Sequence, residues 1–209
     1  MYVRLFLAAA AAALAWRLAS RRHRLPCPSW LGWVLENPYS DRVAGSRTLV
    51  ERAGVRPGMR VLDAGAGTGR VALAAAERVG RGGVVVALDL QPEMLEQVVR
   101  RAEARGLRNV RVVRGEVESA ADHVEPGERF DRAFLVTVLG EVPDRGAALR
   151  ALHEVLRPGG ILSVTEFLPD PHYQSRWVVR RLATEAGFVG GESYGNALAF
   201  TLNFQKSAR

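Results

Sequence analysis

Residues 60–69, RVLDAGAGTG, decide the fold of this chain. Val61 and Leu62 supply the apolar residues of a buried strand, and the alternating glycines behind them predict a tight turn of bare backbone. A helix is expected to begin at about residue 69, with its free N–H groups and its positive dipole end facing the turn. The stretch therefore predicts a strand, a glycine-rich turn and a helix that together bind a nucleotide-like molecule.

The spacing of these glycines discriminates between cofactors. A dinucleotide-binding turn has the pattern G-x-G-x-x-G, and counting from Gly65 places its third glycine at Arg70. An NAD-linked oxidoreductase is therefore disfavoured. The chain instead has D-x-G-x-G-x-G, with Asp63 at the strand end. This pattern resembles the first motif of the class I S-adenosylmethionine (SAM) dependent methyltransferases, and later segments extend the resemblance over roughly residues 37–205.

Apolar strands alternate with helical patterns along the chain, which is typical of a parallel sheet covered by helices on both faces. The length of 209 residues suits one domain with a sizeable core. Strands are predicted near residues 60–64, 84–89, 110–114, 131–137 and 160–166, and helices near 69–79, 92–105, 145–156 and 174–186. The resemblance implies an α/β Rossmann-like methyltransferase fold, with a seven-stranded, mostly parallel sheet whose last strand, here residues 197–204, is antiparallel.

The chain divides into three predicted parts. Residues 1–24 form an N-terminal apolar helix with a basic flank, and residues 25–54 form a cap or linker that includes a first helix. An amphipathic pattern predicts that this helix extends from Ser40 to Ala53, with Ser40 or Asp41 as its cap. Residues 55–209 form the SAM-binding domain.

The N-terminal arm has three possible interpretations. Residues 5–16 are an unbroken apolar run between Arg4 and Arg17, and residues 21–24 are a basic cluster. The run fits a secretory signal, a short spanning helix or an interfacial helix, and the intracellular cofactor expected of the domain argues against export. We favour a membrane anchor over a soluble packing helix, since anionic lipid attracts basic clusters. The positive-inside tendency then puts the domain at the cytoplasmic face of the membrane.

The charge and cysteine content exclude other classes of function. Five arginines and no acid lie in residues 1–24, and without them the chain carries only +2 of its net charge of +7. A nearly balanced domain gives little reason to expect a nucleic-acid partner. Cys27 is the only cysteine, so a disulfide within the chain is impossible, and the sequence has no Cys/His spacing for a metal.

The ends of the second and third predicted strands carry acids that suit an adenosine group. Asp89, some twenty residues beyond the glycine turn, suits bonding to ribose hydroxyls, while a helix cap is the alternative role. The resemblance assigns this ribose contact to Asp89 and makes Leu90, the next residue, part of the cofactor-binding site. It also implies that Glu116 accepts a hydrogen bond from the adenine amino group and that the backbone N–H of Val117 meets the ring. Glu116 is one methylene longer than the aspartate that is usual in the family, and an exposed loop acid is its alternative role.

The first and fourth strands are expected to hold the methionine end of the cofactor. The resemblance places Asp63 close to the methionine moiety, and Ala64, Gly65 and Gly67 complete the turn that contacts the cofactor. As an alternative, Asp63 braces the turn alone. Thr137, at the end of the fourth strand, is expected near the sulfonium, since ligands of such sheets lie beyond the carboxyl ends of the strands.

No motif compels a catalytic residue, because methyl transfer from a sulfonium is an in-line displacement that needs no protonation of the leaving group. A base is needed only if the nucleophile must lose a proton. Polar candidates follow the fourth and fifth strands, namely Glu141, Glu166, Asp170, His172 and Tyr173. We expect Tyr39, Glu141 and His172 to be the catalytic residues, since Tyr39 precedes the domain and His172 can exchange a proton near neutral pH. A loop histidine bonded to backbone is the alternative.

The motifs 89–95, DLQPEML, and 156–160, LRPGG, are most similar to those of small-molecule methyltransferases. Ubiquinone/menaquinone C-methyltransferases and phospholipid N-methyltransferases are the types that the chain resembles. With the arm included, we expect a membrane-associated SAM-dependent methyltransferase whose acceptor is lipophilic, such as a phospholipid headgroup or an isoprenoid quinone. A methyltransferase of a soluble metabolite and a SAM-binding protein without turnover are the alternatives, and the oligomeric state stays open.

Overall fold

A single seven-stranded sheet organises the computed structural model, which describes residues 45–168 and 170–207. Its strands lie in the order β3-β2-β1-β4-β5-β7-β6, and β7 is antiparallel to both of its neighbours. The first five strands are parallel, which confirms the predicted fold class. The strands are β1 Arg60–Ala64, β2 Val84–Asp89, β3 Val110–Arg114, β4 Phe130–Val136, β5 Leu156–Phe167, β6 Phe188–Gly195 and β7 Ala199–Lys206.

Helices cover both faces of this sheet. The α-helices are α1 Ser46–Arg52, α2 Arg70–Val79, α3 Pro92–Ala104, α4 Arg145–Val155 and α5 Arg176–Glu185, and a 3-10 helix spans Val117–His123. Helices α1 to α3 share one apolar core, whereas α4, α5 and the 3-10 helix share the other. Local chemistry fixes several helix starts: Pro92 lies in the first turn of α3, and the side chains of Asp144 and Ser175 cap α4 and α5.

The central strands are apolar on both faces because helices cover both. In β1, Val61 contributes to the core beneath α1 to α3, while Leu62 and Ala64 contribute to the opposite core. A strand of a parallel sheet between two helical layers has a continuous run of apolar residues rather than apolar residues that alternate with polar ones. This arrangement aligns the carboxyl ends of β1 to β5 along one edge of the sheet.

The structure corrects several predicted boundaries. The first helix of the described residues begins at Ser46, because Gly45 has extended dihedral angles and is its N-cap, while positions 40–44 of the predicted helix lie outside the described residues. Strand β5 begins at Leu156, which pairs with Phe130 ahead of an irregularity in the ladder. The antiparallel strand spans Ala199–Lys206, and the edge strand β6 has no counterpart among the predicted strands.

The predicted arm over 1–24, Tyr39 and the caps Ser40 and Asp41 lie outside the described residues. Among residues 45–168 and 170–207, no helix combines the length and the apolar character needed to cross a membrane. On either side of the predicted boundary at residue 55, Leu49, Val50 and Val55 share one core with β1 and β2. Helix α1 therefore packs as a component of the sheet's own core.

A buried carboxylate joins several strands at the edge of the sheet where the parallel strands begin, opposite the edge formed by the carboxyl ends of β1 to β5. The side chain of Glu128 is 1% exposed and accepts hydrogen bonds from the guanidinium groups of Arg60 and Arg111 and from the backbone N–H of Glu125. Burial alone would raise the pKa of Glu128, but these hydrogen bonds, that of Arg111 foremost, lower it below its ordinary value. The network links β1, β3 and the turn before β4.

Removing this carboxylate should destabilise the fold without changing the structure at the carboxyl ends of β1 to β5. We expect Glu128→Ala to lower the free energy of unfolding by about 2–3 kcal/mol, because it leaves Arg60 and Arg111 without their shared anion. The pKa of Glu128 is depressed in the folded state, so the contribution is present above its unfolded pKa and is lost as the pH falls through the folded value. Urea unfolding at pH 7 and pH 3 measures this, with Glu103→Ala as the exposed control; equal losses in both variants would contradict it.

Candidate active site

The glycine turn lies at the point where the strand order reverses. Strands β2 and β3 follow β1 on one side, and β4 and β5 lie on the other, which opens a crevice beyond the carboxyl ends of β1 and β4. Gly65 has a φ of +72°, and a Cβ there would lie 2.4 Å from a methyl carbon of Val138. The loops after β1 and β4 therefore touch at Gly65, and only a glycine fits this conformation and this contact.

Gly67 faces the crevice differently. Its φ is +52°, and a Cβ there would meet nothing within 4 Å, so the backbone at this position borders open space. The N–H of Gly67 donates to Oδ2 of Asp89 (2.8 Å), and the N–H of Gln91 donates to Oδ1 of the same carboxylate (2.9 Å). Asp89 thus joins the glycine turn to the start of α3, whose N-cap is Gln91.

Asp63 is a buried carboxylate at the end of β1. It is 2% exposed, and its Oδ2 has no hydrogen-bond partner among the described residues. Burial raises the pKa of Asp63 to about 7; the Asp89 carboxylate also raises it, while the backbone N–H of Ala72 and the charge of Arg70 lower it. A buried acid whose charge is incompletely compensated is typical of a site that binds a cation.

The ends of β2 and β3 lie side by side next to this turn. The N–H of Gly115 donates to the carbonyl of Asp89 (3.1 Å), which brings Glu116 beside β2. Leu90 is 51% exposed and Glu116 is exposed as well. Val117 and Ala64 are buried in the core, so only their backbone groups are available to a ligand at this edge.

Thr137, at the end of β4, has a strained backbone. Its φ is +56°, and it is the only residue other than glycine with a positive φ among those described. A β-branched residue in this region is unfavourable, and such strain is concentrated at functional sites. Its N–H donates to the carbonyl of Thr165 (2.9 Å), and its Oγ1 donates to the carbonyl of Val136 (2.7 Å). These bonds hold the Thr137 backbone at the mouth of the crevice.

A second carboxyl is buried at the end of β5. Glu166 is 1% exposed; its Oε2 accepts from the N–H of Gln174 (2.9 Å), and its Oε1 has no hydrogen-bond partner among the described residues. Burial raises the pKa of Glu166 well above its ordinary value; Asp170 and Glu141 raise it too, while the Gln174 N–H and the Arg145 charge lower it. Burial thus favours the protonated form of this carboxyl more than it does for an exposed glutamate.

The loops after β4 and β5 pack directly on each other. A Cβ at Gly140 would lie 1.8 Å from the carbonyl oxygen of His172, so the two backbones meet at this glycine. The N–H of His172 donates to Oδ1 of Asp170 (2.6 Å), and its carbonyl accepts from Nε2 of Gln174 (2.6 Å). The ring of His172 is buried beside this contact, and Glu141 is half-buried next to Gly140.

The structure thus brings the predicted residues together in two groups along one edge. The first group surrounds the glycine turn and comprises Asp63, Ala64, Gly65, Gly67, Asp89, Leu90, Glu116 and Val117. The second lies at the ends of β4 and β5 and comprises Thr137, Glu141 and His172. Glu166 belongs to the second group although our choice of catalytic residues omitted it. Its position at a strand end was visible in the sequence, but its burial depends on the packing of the loop over 170–174.

The chain is similar to known proteins over most of its described length. A family model described as a methyltransferase domain matches residues 56–187, which include every strand from β1 to β5. The chain belongs to this methyltransferase family. Membership in the class I SAM-dependent methyltransferases, predicted from the motifs, is confirmed, and with it SAM as the cofactor of the fold.

Curated relatives of this family carry the name ubiquinone/menaquinone biosynthesis C-methyltransferase UbiE. The protein of Shewanella sp. strain ANA-3 is 37% identical over 133 residues, which are 63% of this chain and 52% of the relative. That of Shewanella sp. strain W3-18-1 is 36% identical over 127 residues, 60% of this chain and 49% of the relative. The chain therefore spans about half the length of the curated relatives it matches.

Solved structures share the fold. A SAM-dependent methyltransferase from Aquifex aeolicus superposes with a TM-score of 0.74 at 22% identity, over 87% of this chain and 100% of that one. The [4+2]-cyclase SpnF superposes with a TM-score of 0.68 at 19% identity, over 81% and 82% of the two chains. A cyclase among the neighbours illustrates that the family's fold alone does not fix the reaction.

Proposed function

We propose that this chain transfers a methyl group from SAM to a lipophilic small molecule at the cytoplasmic face of a membrane. The observation that carries the proposal is its 37% identity to C-methyltransferases named for ubiquinone and menaquinone biosynthesis. An isoprenoid quinone therefore suits the acceptor better than a phospholipid headgroup does. The apolar arm over 1–24 and its basic flank supply the membrane contact in this proposal.

The residues at the glycine turn fit SAM. Open space at Gly67 admits a ligand against bare backbone, and the Asp89 carboxylate next to it suits the ribose hydroxyls. The incompletely compensated carboxylate of Asp63 suits the positively charged methionine end. Leu90, Glu116 and the Val117 backbone border the adenine in this assignment. When bound, SAM supplies an electrophilic methyl group on a sulfonium.

The chain's own contribution to catalysis is alignment and proton control. Thr137 directly follows β4 and precedes Val138, which contacts the glycine turn at Gly65, so it borders the region where the two reactants must be held in line. Methylation at a ring carbon of a quinol also requires the loss of a proton from the acceptor. Glu166 suits this role, because its carboxyl is buried at the end of β5 and its pKa is raised above that of an ordinary glutamate, which makes its carboxylate a stronger base. Glu141 and His172 border Glu166 and orient the acceptor, and Tyr39 stays a candidate for the same site.

The acceptor is testable with the full-length chain. Incubation with methyl-labelled SAM and total membrane lipid dispersed in detergent, followed by mass analysis, should give one labelled product in the organic phase. Release of S-adenosylhomocysteine in equal amount establishes turnover. Label only in a water-soluble metabolite would overturn the lipophilic acceptor, and SAM binding without any released S-adenosylhomocysteine would favour a protein that binds SAM without turnover.

Cofactor affinity should depend strongly on Asp89. We expect Asp89→Ala to weaken SAM binding by about 10- to 100-fold, because it removes an ionised acceptor for the ribose and releases the Gly67 and Gln91 N–H groups. Isothermal titration calorimetry with SAM measures the loss, and Asp122→Ala, at an exposed position of the 3-10 helix, is the matched control. An unchanged dissociation constant in Asp89→Ala would contradict the assignment.

A further inference from the structure

Exposed apolar side chains are concentrated at the edge of the sheet that carries the candidate active site. The six large apolar side chains left most exposed in the described residues are Leu90, Val99, Leu168, Trp177, Val189 and Leu198. Four of them lie at the carboxyl ends of β1 to β5 or beside them. Leu90 belongs to the cofactor group, so Leu168, Trp177 and Leu198 remain for another role. We call these three residues the Trp177 rim.

Hydrogen bonds hold the rim together as one surface. The N–H of Leu168, just beyond β5, donates to the carbonyl of Leu198 in the turn between β6 and β7 (2.6 Å). The guanidinium of Arg176 donates to the carbonyl of Asn196 in the same turn (2.9 Å) and lies 5.1 Å from the centre of the Phe200 ring. The start of α5, with Trp177, is thereby fixed beside the two leucines.

The solvent face of α5 is basic and aromatic. Trp177 is 68% exposed, and the guanidinium of Arg181 stacks on its ring at 5.1 Å from the centroid. Helix α5 carries three arginines and one acid, Glu185, whose carboxylate lies 3.9 Å from the guanidinium of Arg181, so the net charge of the helix is +2. The helix buries Val179 and Ala183 on its other face, so the tryptophan and the arginine point to solvent together. A tryptophan flanked by arginines suits the boundary between anionic headgroups and acyl chains.

We infer that the Trp177 rim docks the active-site edge onto an anionic lipid bilayer. The inference rests on the proposed lipophilic acceptor and deepens it, because docking at this edge would let an acceptor pass from the bilayer into the crevice beyond the carboxyl ends of β1 and β4. Single exposed apolar residues are common on protein surfaces, whereas a group of them fixed beside a catalytic edge and next to a helix of net positive charge is not. The positive charge on α5 complements anionic lipid.

The test uses the full-length chain with tryptophan as a local probe. Replacing Trp16, Trp30 and Trp33 by phenylalanine leaves Trp177 as the sole reporter. Vesicles of equimolar phosphatidylcholine and phosphatidylglycerol, with part of the phosphatidylcholine brominated in its acyl chains, should quench its fluorescence. Unquenched fluorescence in a chain that still sediments with the vesicles would overturn the inference, since the N-terminal arm then binds alone or residues 1–44 cover the rim.

Substitutions give the second arm of the test. Trp177→Ser should weaken vesicle binding by about tenfold, and Arg181→Gln should weaken it by about fivefold on anionic vesicles and not on phosphatidylcholine alone. Val189→Ser is the matched control, because Val189 is 49% exposed but lies near the start of β6, at the opposite edge. An equal loss in Val189→Ser would overturn the inference.

The result of the vesicle-binding and quenching experiments does not depend on whether the chain transfers a methyl group. Methylation of detergent-dispersed lipid and calorimetric SAM binding should be the same in Trp177→Ser and in the parent chain, since neither requires docking. Quenching of Trp177 together with a lack of methylated lipid would refute the proposed function and leave the docking surface in place. Methylated lipid without quenching of Trp177 would support the proposed function and refute the docking surface.

Discussion

Asp63→Asn is expected to gain about 4 kcal/mol of stability relative to the ligand-free parent between pH 4 and pH 8, and to weaken the binding of SAM. The Asp63 carboxyl is almost fully buried, and its pKa of about 7 lies far above the ordinary value of 3.8. Keeping this group ionised in the folded state therefore costs free energy, by about 1.4 kcal/mol for each unit of pKa. Asparagine keeps the size and the acceptor oxygen and removes the charge.

The pH dependence gives the sign of the effect. Because the folded pKa of Asp63 is raised, the folded state binds its proton more tightly than the unfolded state does. Stability from this group therefore falls as the pH rises from about 4 to about 7 and is constant above that. The stability of the variant relative to the parent should rise across the same window and be independent of pH below it.

Urea unfolding at pH 4, 6 and 8, with and without SAM, checks both parts of this prediction. SAM should stabilise the parent more than the variant at pH 8, because only the parent offers an anion to the cofactor's positive charge. Asp122→Asn, at an exposed carboxyl, should change neither quantity. A stability difference between Asp63→Asn and the parent that is the same at pH 4 and pH 8 would show that the protein already compensates this charge, and the site would then lack its reason to bind a cation.

The strands that carry the cofactor group were predictable because one feature fixes each of them. Strands β1 and β2 are short apolar runs that end in an acid, and only a strand covered on both faces has such a run. Their observed bounds coincide with the predicted 60–64 and 84–89. The glycine spacing then fixed the turn, since Gly65 needs both a positive φ and the absence of a side chain next to Val138.

Strand β6 could not be predicted because its own sequence opposes a strand. It contains Gly190 and Gly191, both with positive φ, and the ladder with β7 is irregular between Gly190 and Glu192. Most of its residues are exposed at the sheet edge, so no apolar alternation marks it. Pairing with β7 makes this segment a strand, although its own residues do not favour one.

The sequence could not predict how deeply the carboxyl groups of the site are buried. That Asp63 and Asp89 face one turn follows from their positions at neighbouring strand ends, but the depth of Asp63 depends on how α2 packs. Glu166 was one of several polar residues after the fifth strand, and the sequence singled out Glu141 and His172 instead. The loop over 170–174 closes on Glu166 through the Gln174 N–H and the contact of His172 with Gly140. Such a closure depends on distant packing.

Glu166→Gln is expected to lower the rate of methyl transfer by about 10²- to 10⁴-fold while SAM affinity stays the same. Glutamine retains the shape and can still accept from the Gln174 N–H, but it cannot take a proton from the acceptor. The charged and titratable groups around Glu166 are Asp170, Glu141, Arg145 and Tyr173, and the burial-raised pKa of Tyr173 is raised further by Glu166 itself. The parent's rate should therefore rise with pH through a value above 4.5, and the variant should lose this limb.

Stability separates this catalytic role from a structural one. The raised pKa of Glu166 means that the folded state loses stability as the pH rises above the unfolded value of 4.5 and towards the folded one, so Glu166→Gln should be more stable than the parent at alkaline pH. Initial rates with a prenylated 1,4-naphthoquinol from pH 5 to 9, together with urea unfolding, measure both effects. Glu103→Gln, at an exposed position of α3, is the control. A stabilised variant that keeps the parent's rate and pH profile would leave Glu166 as a buried loop anchor, and the proton would then have to leave through another group at the ends of β4 and β5.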